Sequence, residues 1–255
     1  MSTSWRYRWK HGIVSAMIDM SVSTRERIIQ AATDLLTSGG REAVSTRAVS
    51  AAAGVQPPTI YRQFGDMRGL LDTVASRGVA RYIEQKLAQA HSGDPVEDLR
   101  QGWDLHVAFG LANPAIYALM YGEPRPDAAP SAVRETSDIL HGQMQRVAEA
   151  GRLRVSVEHA AAMSHAAGVG VTLSLLAQPP AERDPNLSVA TREAVLAAVT
   201  TDDSGPSAPV ADPSARVASR AIALKAVLAE GPADLTAAER AMISEWLDRL
   251  IRAAS

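Results

Sequence analysis

The chain has 255 residues, of which 46 % are hydrophobic and only 4 % are aromatic, so alanine, valine and leucine must fill its cores. This alanine-rich composition favours helix over sheet, and the absence of cysteine excludes a disulfide framework and a thiolate metal site. No run of about eighteen apolar residues occurs, so we expect a cytoplasmic protein with no membrane-spanning segment.

The net charge of −2 hides an asymmetry along the chain. Residues 1–90 contain 12 Lys and Arg against 7 Asp and Glu, a balance of +5. The remainder contains 14 against 21, a balance of −7. A basic first third followed by an acidic body is typical of a protein that presents one end to a polyanion.

Residues 1–22 form an extension without helical periodicity. Trp5 to Lys10 are basic and aromatic, and the apolar run that follows is too short for a signal peptide and contains Asp19. We predict a disordered extension, or an upstream start codon with Met17 or Met20 as the real beginning. A basic arm that contacts phosphates is the alternative.

The first predicted helix begins at Ser23, which has the capping-box spacing with Glu26. Gly39 and Gly40 should end it. Its apolar positions recur at helical intervals and should face inward: Ile28, Ala32 and Leu35.

Residues 45–64 predict a helix, a tight turn and a second helix. Ser45 can cap the first helix, and Gly54 can adopt the positive φ that its C-terminus requires. Pro57 and Pro58 lack backbone N–H groups and therefore fit the first turn of the second helix. The pattern predicts a helix-turn-helix unit, whose second helix can enter the major groove of DNA. Any small packed helical hairpin would also fit it.

Both short helices carry groups that can bond phosphates and base edges. Behind the proline tip, the second helix offers hydroxyl, guanidinium and amide groups on Thr59, Tyr61, Arg62 and Gln63. Thr46 and Arg47 lie in the first turn of the first helix, where a helix N-terminus and a hydroxyl favour phosphate. Arg47 could equally be a solvated surface arginine.

The run from Ser23 to Leu71 resembles the DNA-binding domain of the TetR family of bacterial transcriptional repressors. The matching segments are residues 28–32, 45–49, 53–55, 59–64 and 70–71. The resemblance implies that Thr46 and Arg47 contact DNA and that the Tyr61 hydroxyl meets the phosphate backbone. It also implies that Pro57, Pro58 and Thr59 lie near the bases, and that Phe64 is a core residue.

One position departs from the family pattern. At the start of the fourth helix the family usually has a lysine over a phosphate, whereas this chain has Met67 followed by Arg68. Arg68 is the substitute that the sequence offers, but arginine and lysine are not equivalent phosphate partners. The candidate DNA-binding set is therefore Thr46, Arg47, Pro57, Pro58, Thr59, Tyr61, Arg62, Gln63 and Arg68.

The resemblance implies an all-α fold with two domains. A three-helix helix-turn-helix domain at 23–84, with its motif at 45–64, joins a helical-bundle effector-binding and dimerisation domain at 85–255. Residues 66–90 predict one long helix between them. In the family this helix acts as a lever, because a shift at its far end changes the spacing of the two recognition helices in a dimer.

The larger domain contains most of the bulky and adaptable side chains. Helix starts are predicted at Asp94, Asn113 and Ser131, and the segment 123–130 should be a proline-rich loop. A small apolar ligand suits aromatic and methionine side chains with a few polar tips. The candidate effector-binding residues are Trp103, His106, Phe109, Tyr117, Met120, Tyr121, His141 and Met144, although they could simply fill the core.

The helix predicted at 156–178 has a face of small residues that permits close approach of another helix. In the family such late helices form a four-helix dimer interface, so the candidate interface residues are Ala160, Ser164, Ala167, Gly168 and Val171. A buried helix of a monomer would look much the same. Three further segments follow, at 187–200, 214–230 and 236–254, with a polar loop at 201–213.

The six histidines show no metal-ligand or nucleophile motif, so neither a metal site nor acid–base catalysis is predicted. We interpret the chain as a homodimeric repressor of a palindromic operator, released by an unknown small-molecule effector and requiring no cofactor. One alternative is a helix-turn-helix protein with no small-molecule switch, acting as an architectural or partner-regulated factor. The other is an all-helical enzyme with an incidental helix-turn-helix.

Overall fold

The computed structural model describes residues 23–88, 91–122, 130–201, 213–230 and 235–253. The helices are α1 (Thr24–Ala43), α2 (Thr46–Ala53), α3 (Pro57–Phe64), α4 (Met67–Ala88), α5 (Pro95–Ala112), α6 (Pro114–Tyr121), α7 (Ser131–Glu149), α8 (Val157–Leu176), α9 (Pro185–Val199), α10 (Pro213–Glu230) and α11 (Ala237–Arg252). Within those ranges, extended pairing is limited to one bridge between Leu153 and Thr200. The predicted all-α fold class is confirmed.

The predicted N-terminal extension and nearly all of the predicted loops at 123–130 and 201–213 lie outside the described residues. No helix in the described ranges is both long enough and apolar enough to cross a membrane.

The chain divides into two compact units, Met1–Gly78 and Val79–Ser255. The division falls inside α4, so one continuous helix belongs to both units. The domain boundary predicted after residue 84 lies in the same helix.

In the first unit, α1 packs against α2, and α2 packs against α3, around a buried apolar core. Ser23 caps α1 by accepting a hydrogen bond from the Glu26 N–H at 3.1 Å. The reciprocal half of the predicted capping box is absent, because the Glu26 carboxylate pairs with Arg77 instead. The core side chains include Ile28, Ala32, Leu36, Val44, Val49, Ile60 and Leu71. The fully buried position in α1 is therefore Leu36, whereas the predicted Leu35 is half-buried.

The junction between α3 and α4 depends on a glycine. A Cβ on Gly69 would lie 2.1 Å from the carbonyl oxygen of Phe64, so no larger residue fits without moving backbone. The Gly69 N–H donates to Asp66 Oδ1 at 2.8 Å and keeps the pKa of that carboxyl below its usual value. The start of α4 is thus held tightly against the end of α3.

In the second unit, α8 lies centrally and packs against α5, α7 and α9, while α10 packs against α7 and α11. Asp94 caps α5, Ser156 caps α8, and Thr236 forms a full capping box with Glu239 at the start of α11, as predicted for that last pair. The buried core includes Leu99, Met144, Val147, Leu153, Val157, Val199 and Ile222.

The small-residue face of α8 is largely buried within the chain, while its predicted role in a dimer interface stays a prediction. Ala160 is fully buried in the core, and Val171 packs with apolar side chains of α5. Ser164 and Gly168 line an internal cavity, and Ala167 is half-buried. The pattern predicted close helix packing, but the partners are helices of the same chain.

Candidate functional site

The two short helices of the first unit have helix-turn-helix geometry. Ser45 caps α2 by accepting a hydrogen bond from the Ala48 N–H at 3.2 Å. Gly54 ends α2 in the left-handed conformation, with φ 65° and ψ 39°, which favours glycine. Pro57 opens α3, and Ile60 is fully buried beneath it. A burial this complete on a helix of eight residues fixes which face of α3 points outward.

The outward face of α3 carries most of the predicted contact residues. Pro57, Pro58, Tyr61, Arg62 and Gln63 are exposed. Thr59 is half-buried and lies on the flank of the helix. A polar, partly aromatic face beside a rigid apolar tip can bond base edges and phosphate oxygens at the same time.

A hydrogen bond joins the two helices at this surface. Thr46 Oγ1 lies 3.3 Å from the Tyr61 hydroxyl, so the first turn of α2 and the middle of α3 present two hydroxyls side by side. Arg47 is exposed next to them. The structure thus brings the three DNA contacts that the resemblance implies, Thr46, Arg47 and Tyr61, to one surface.

The surroundings of this surface are basic. No acidic residue occurs between Glu42 and Asp66, a stretch that contains Arg47 and Arg62. Arg68 is highly exposed, and its Nε forms an ion pair with the Asp66 carboxylate at 3.7 Å. The rest of its guanidinium faces solvent, where a phosphate can bind it.

Two further arginines of α1, both missed in the sequence, lie beside the helix-turn-helix. Arg25 is positioned over the Phe64 ring at 4.8 Å, and Arg27 Nε donates to the carbonyl of Ala53 at 3.5 Å. The helical spacing of α1 indicated only that both are exposed, because their partners lie in other helices.

The second unit contains a partly open cavity between α4, α5, α7, α8 and α9, with contributions from α6. Four of the eight predicted effector residues line it: Trp103, His106, Tyr121 and Met144. Trp103 is held in place because its Nε1–H donates to Ser188 Oγ at 3.0 Å. The wall is mainly apolar, with a few polar groups that converge on one space, as ligand sites commonly are.

The other four predicted effector residues do not line this cavity. Phe109, Tyr117 and Met120 are buried behind its wall, where Phe109 stacks on the Tyr82 ring at 4.6 Å. His141 lies at a different cavity, on the side facing α10. Phe109, Tyr117 and Met120 thus fill the core, whereas His141 is exposed.

Two side-chain hydrogen bonds at the cavity wall hold the His106 ring in position. Its Nε2 lies 2.8 Å from the Tyr117 hydroxyl and its Nδ1 3.4 Å from the Tyr82 hydroxyl. Burial, with nearby Lys86 and His165, lowers the pKa of His106 to about 3. The imidazole is therefore neutral at physiological pH and orients the two phenols.

Residues 28–74 match the model of the bacterial regulatory proteins of the tetR family. The match covers α2 and α3, most of α1 and the start of α4. It is 29 % identical over 128 residues to the HTH-type transcriptional regulator AlkX of Mycobacterium tuberculosis, a match that covers 49 % of this chain and 61 % of that protein. It is 27 % identical over 183 residues to the class D tetracycline repressor of Escherichia coli, covering 69 % and 80 %.

Solved structures of a repressor share this fold. SmeT, the repressor of the Stenotrophomonas maltophilia multidrug efflux pump SmeDEF, superposes with a TM-score of 0.55 at 20 % identity, covering 75 % of this chain and 97 % of SmeT. A complex of SmeT with triclosan superposes with a TM-score of 0.52, at 20 % identity, over 74 % of this chain and 98 % of that one.

The cavity also contains residues that the sequence did not single out. Tyr82 and Lys86 belong to α4, and Gln143, His165 and Arg192 to later helices. Lys86 could have been found from the sequence. It follows Val79 and Tyr82 at helical intervals, and these buried residues define the inward face of α4. For the others, only the packing of distant helices brings them together.

Proposed function

We propose that this protein is a homodimeric repressor that binds a palindromic operator and is released from it by a small-molecule effector. The observation that carries the proposal is the outward face of α3, where the predicted contact residues are exposed above a fully buried Ile60. The first unit is assigned to DNA, and the second to the effector and the dimer.

The roles of the contact residues follow from their positions. Thr46, Arg47 and Tyr61 bond the phosphate backbone, since their groups lie at the junction of α2 and α3. Arg68 adds a phosphate contact at the start of α4. The exposed tip and flank of α3 face base edges in the major groove through Pro57, Pro58, Thr59, Arg62 and Gln63.

Exposed apolar rows on α10 and α11 support assembly into a dimer. Met242, Trp246 and Leu250 recur every four residues and are about half exposed, as are Leu224 and Val227 on α10. The two helices pack on each other, with Lys225 Nζ bonded to Asp248 at 2.5 Å. A second copy of the same pair of helices would cover these rows in a symmetric interface.

Sedimentation equilibrium tests the dimer directly. Trp246→Glu should give a monomer, because a carboxylate would be buried in the interface. Val189→Glu, which changes an exposed apolar residue of α9 outside the two rows, should leave the dimer intact. A Trp246→Glu protein that stays dimeric would remove this interface from the proposal.

The cavity supports the effector part of the proposal. Tyr82 and Lys86 line it, and both lie on the helix that begins at Met67 beside the DNA-binding surface. A ligand that moves this end of α4 changes the spacing of the two recognition helices, and that spacing must match one helical turn of DNA. The protein is then released from the operator because the effector binds more tightly to the dimer whose spacing does not match the DNA.

The experiment is selection of bound duplexes from a random-sequence pool by the full chain at moderate salt, followed by sequencing. We expect an inverted repeat whose half-sites lie one helical turn apart. Arg62→Ala should lose the enriched sequence, whereas Arg81→Met, which removes an exposed cation from α4 outside the surface, should keep it. An enriched sequence that no small molecule releases would favour the regulator without a switch, and no enrichment would overturn the proposal.

A further inference from the structure

Lys86 is a buried cation that the DNA-binding proposal does not use. Only 9 % of it is exposed, and it lines the cavity of the second unit. Its Nζ lies 5.4 Å from the centre of the Tyr82 ring. Within the described residues, this ammonium group has no hydrogen-bond acceptor and no carboxylate within ion-pair distance.

The rest of the cavity wall, as far as the structure describes it, contains no carboxylate. Its second cation, Arg192, is already paired with Asp104 at 2.6 Å and with Glu193 at 2.7 Å. The titratable groups that face Lys86 from the other helices are His106, Tyr121 and His165. Burial and the Lys86 charge lower the pKa of both histidines, so both imidazoles are neutral at pH 7.

On the other side of Lys86 lies a second cavity, which it shares with Gln143, His91 and Asp98. Asp98 does not neutralise the lysine. Its carboxylate accepts hydrogen bonds from Ser92 N–H at 2.8 Å and from His91 Nδ1 at 3.1 Å, and no ion pair reaches Lys86.

A second polar group in the main cavity also lacks a partner. Ser164 Oγ, on α8, is buried and has no hydrogen-bond partner among the described residues. A buried charge and a buried hydroxyl are both unfavourable when unpaired, so native structures normally supply partners for them. Two such groups line this cavity, which indicates that a ligand supplies the hydrogen-bond and ion-pair partners that the protein does not.

We propose that the effector is an amphipathic organic anion, whose carboxylate or phenolate pairs with Lys86 while its apolar body lies against Trp103, Leu140 and Met144. This inference rests on the proposed function, since it names the chemical class of the effector. The Ser164 hydroxyl supplies a neutral hydrogen bond to the same ligand. A cationic ligand is disfavoured, because the wall already carries an unpaired positive charge.

The proposal gives a direction for the pH dependence of binding. Burial lowers the pKa of Lys86 to about 8 in the ligand-free protein. A bound anion would raise that pKa, so complex formation takes up a proton above pH 8. The affinity for a carboxylate should therefore fall as pH rises through 8, while the affinity for a neutral analogue should stay constant.

The test compares matched probes on the full chain by thermal unfolding and by release from the selected duplex. The probes are benzoate with benzamide, and octanoate with octanamide, so that aromatic and aliphatic carboxylates form separate arms. At a concentration about 100-fold above its Kd, a carboxylate should raise Tm by roughly 5–10 °C. Its amide should bind at least about 10-fold more weakly, because it lacks the charge-assisted bond.

Lys86→Met should weaken carboxylate binding at least about 10-fold and change amide binding much less. Lys86→Gln serves as a second variant of different volume, and Arg81→Met is the matched control for loss of a cation from the same helix outside the cavity. Ser164→Ala should weaken carboxylate and amide alike.

The outcomes separate this inference from the proposed function. Equal Tm shifts with an acid and its amide, or unchanged carboxylate binding by Lys86→Met, would overturn the anionic effector while leaving a DNA-binding repressor in place. A chain that selects no duplex yet binds benzoate through Lys86 would overturn the proposed function alone. Both proposals are supported if the carboxylates, but not their amides, raise Tm and release the protein from the selected duplex, and if Lys86→Met abolishes both effects.

Discussion

The two units of this protein hold their candidate functional groups in opposite ways. In the first unit, the candidate contact groups of α2 and α3 are exposed or half-buried, and they lie within about twenty residues of sequence. In the second unit, the polar groups of the cavity are buried, and they come from helices between Tyr82 and Leu196. The contact groups of the first unit can be solvated before DNA binds. The polar groups of the cavity include some without a hydrogen-bond or ion-pair partner.

This difference has an energetic consequence. An exposed Arg47 is solvated in the free protein, so it affects binding more than folding. A buried and unpaired Lys86 disfavours the folded, ligand-free state. Substitutions of these groups should therefore change different quantities. Replacing Arg47 should change the affinity for DNA, and replacing Lys86 should change the free energy of unfolding.

Lys86→Met should stabilise the ligand-free protein. A pKa lowered from 10.5 to about 8 corresponds to about 3 kcal/mol in the free energy of unfolding at pH 7, because the folded state must hold a buried charge. The gain should be complete below pH 8 and vanish as pH rises to the lysine's unfolded pKa, since both states are then neutral. Urea unfolding at several pH values measures it. A wild-type-like or lower stability at pH 7 would contradict the unpaired lysine.

Gly69→Ala should destabilise the first unit by about 1–3 kcal/mol. The added Cβ would lie 2.1 Å from a backbone oxygen, so α4 must shift away from α3. Gly142→Ala is the matched control: its Cβ meets nothing within 4 Å, and it should stabilise α7 by up to about 1 kcal/mol. Thermal unfolding distinguishes the two. A Gly69→Ala protein as stable as wild type would show that this junction is loose.

Arg47→Ala should weaken DNA binding about 10-fold on every sequence while leaving Tm unchanged. Its guanidinium is exposed beside the Thr46–Tyr61 pair and is assigned to a phosphate, which carries no base information. The slope of log K against log salt should shrink by about one for each contact removed. A loss confined to the enriched sequence would reassign Arg47 to base recognition.

Tyr61→Phe should have the smallest effect, a loss of about 3- to 10-fold on all sequences, since one neutral hydrogen bond is removed. Thr59→Ala, on the flank of the same helix, should instead change which sequence is preferred. Anisotropy titrations on the enriched duplex and on single-base variants compare them. Parallel losses for both variants on every duplex would refute this division of roles.

The predictability of the two sites from sequence follows the same division. The helix-turn-helix could be predicted because Ser45, Gly54 and Pro57 each have a local backbone reason for their place, and the exposed face follows from the burial of Val49 and Ile60. The caps at Asp94 and Thr236 were predicted on the same grounds.

The cavity could be predicted only in part. Trp103 and Met144 were identified by residue type, but type alone cannot separate a cavity wall from the core behind it, which is where Tyr117 and Phe109 lie. The small face of α8 was assigned to a partner chain, because spacing indicates close packing without naming the surface that is packed. The helix that packs on such a face can be identified only from the tertiary structure.

The most direct test of the DNA-binding assignment is the affinity of the full chain for its enriched duplex between about 50 and 200 mM salt. Two copies of Arg47 and Arg68 offer about four phosphate contacts, so the affinity should fall roughly 10²-fold across that range. A duplex with scrambled half-sites should bind much more weakly at each salt concentration. Affinity that is independent of salt, or equal for the scrambled duplex, would contradict the account.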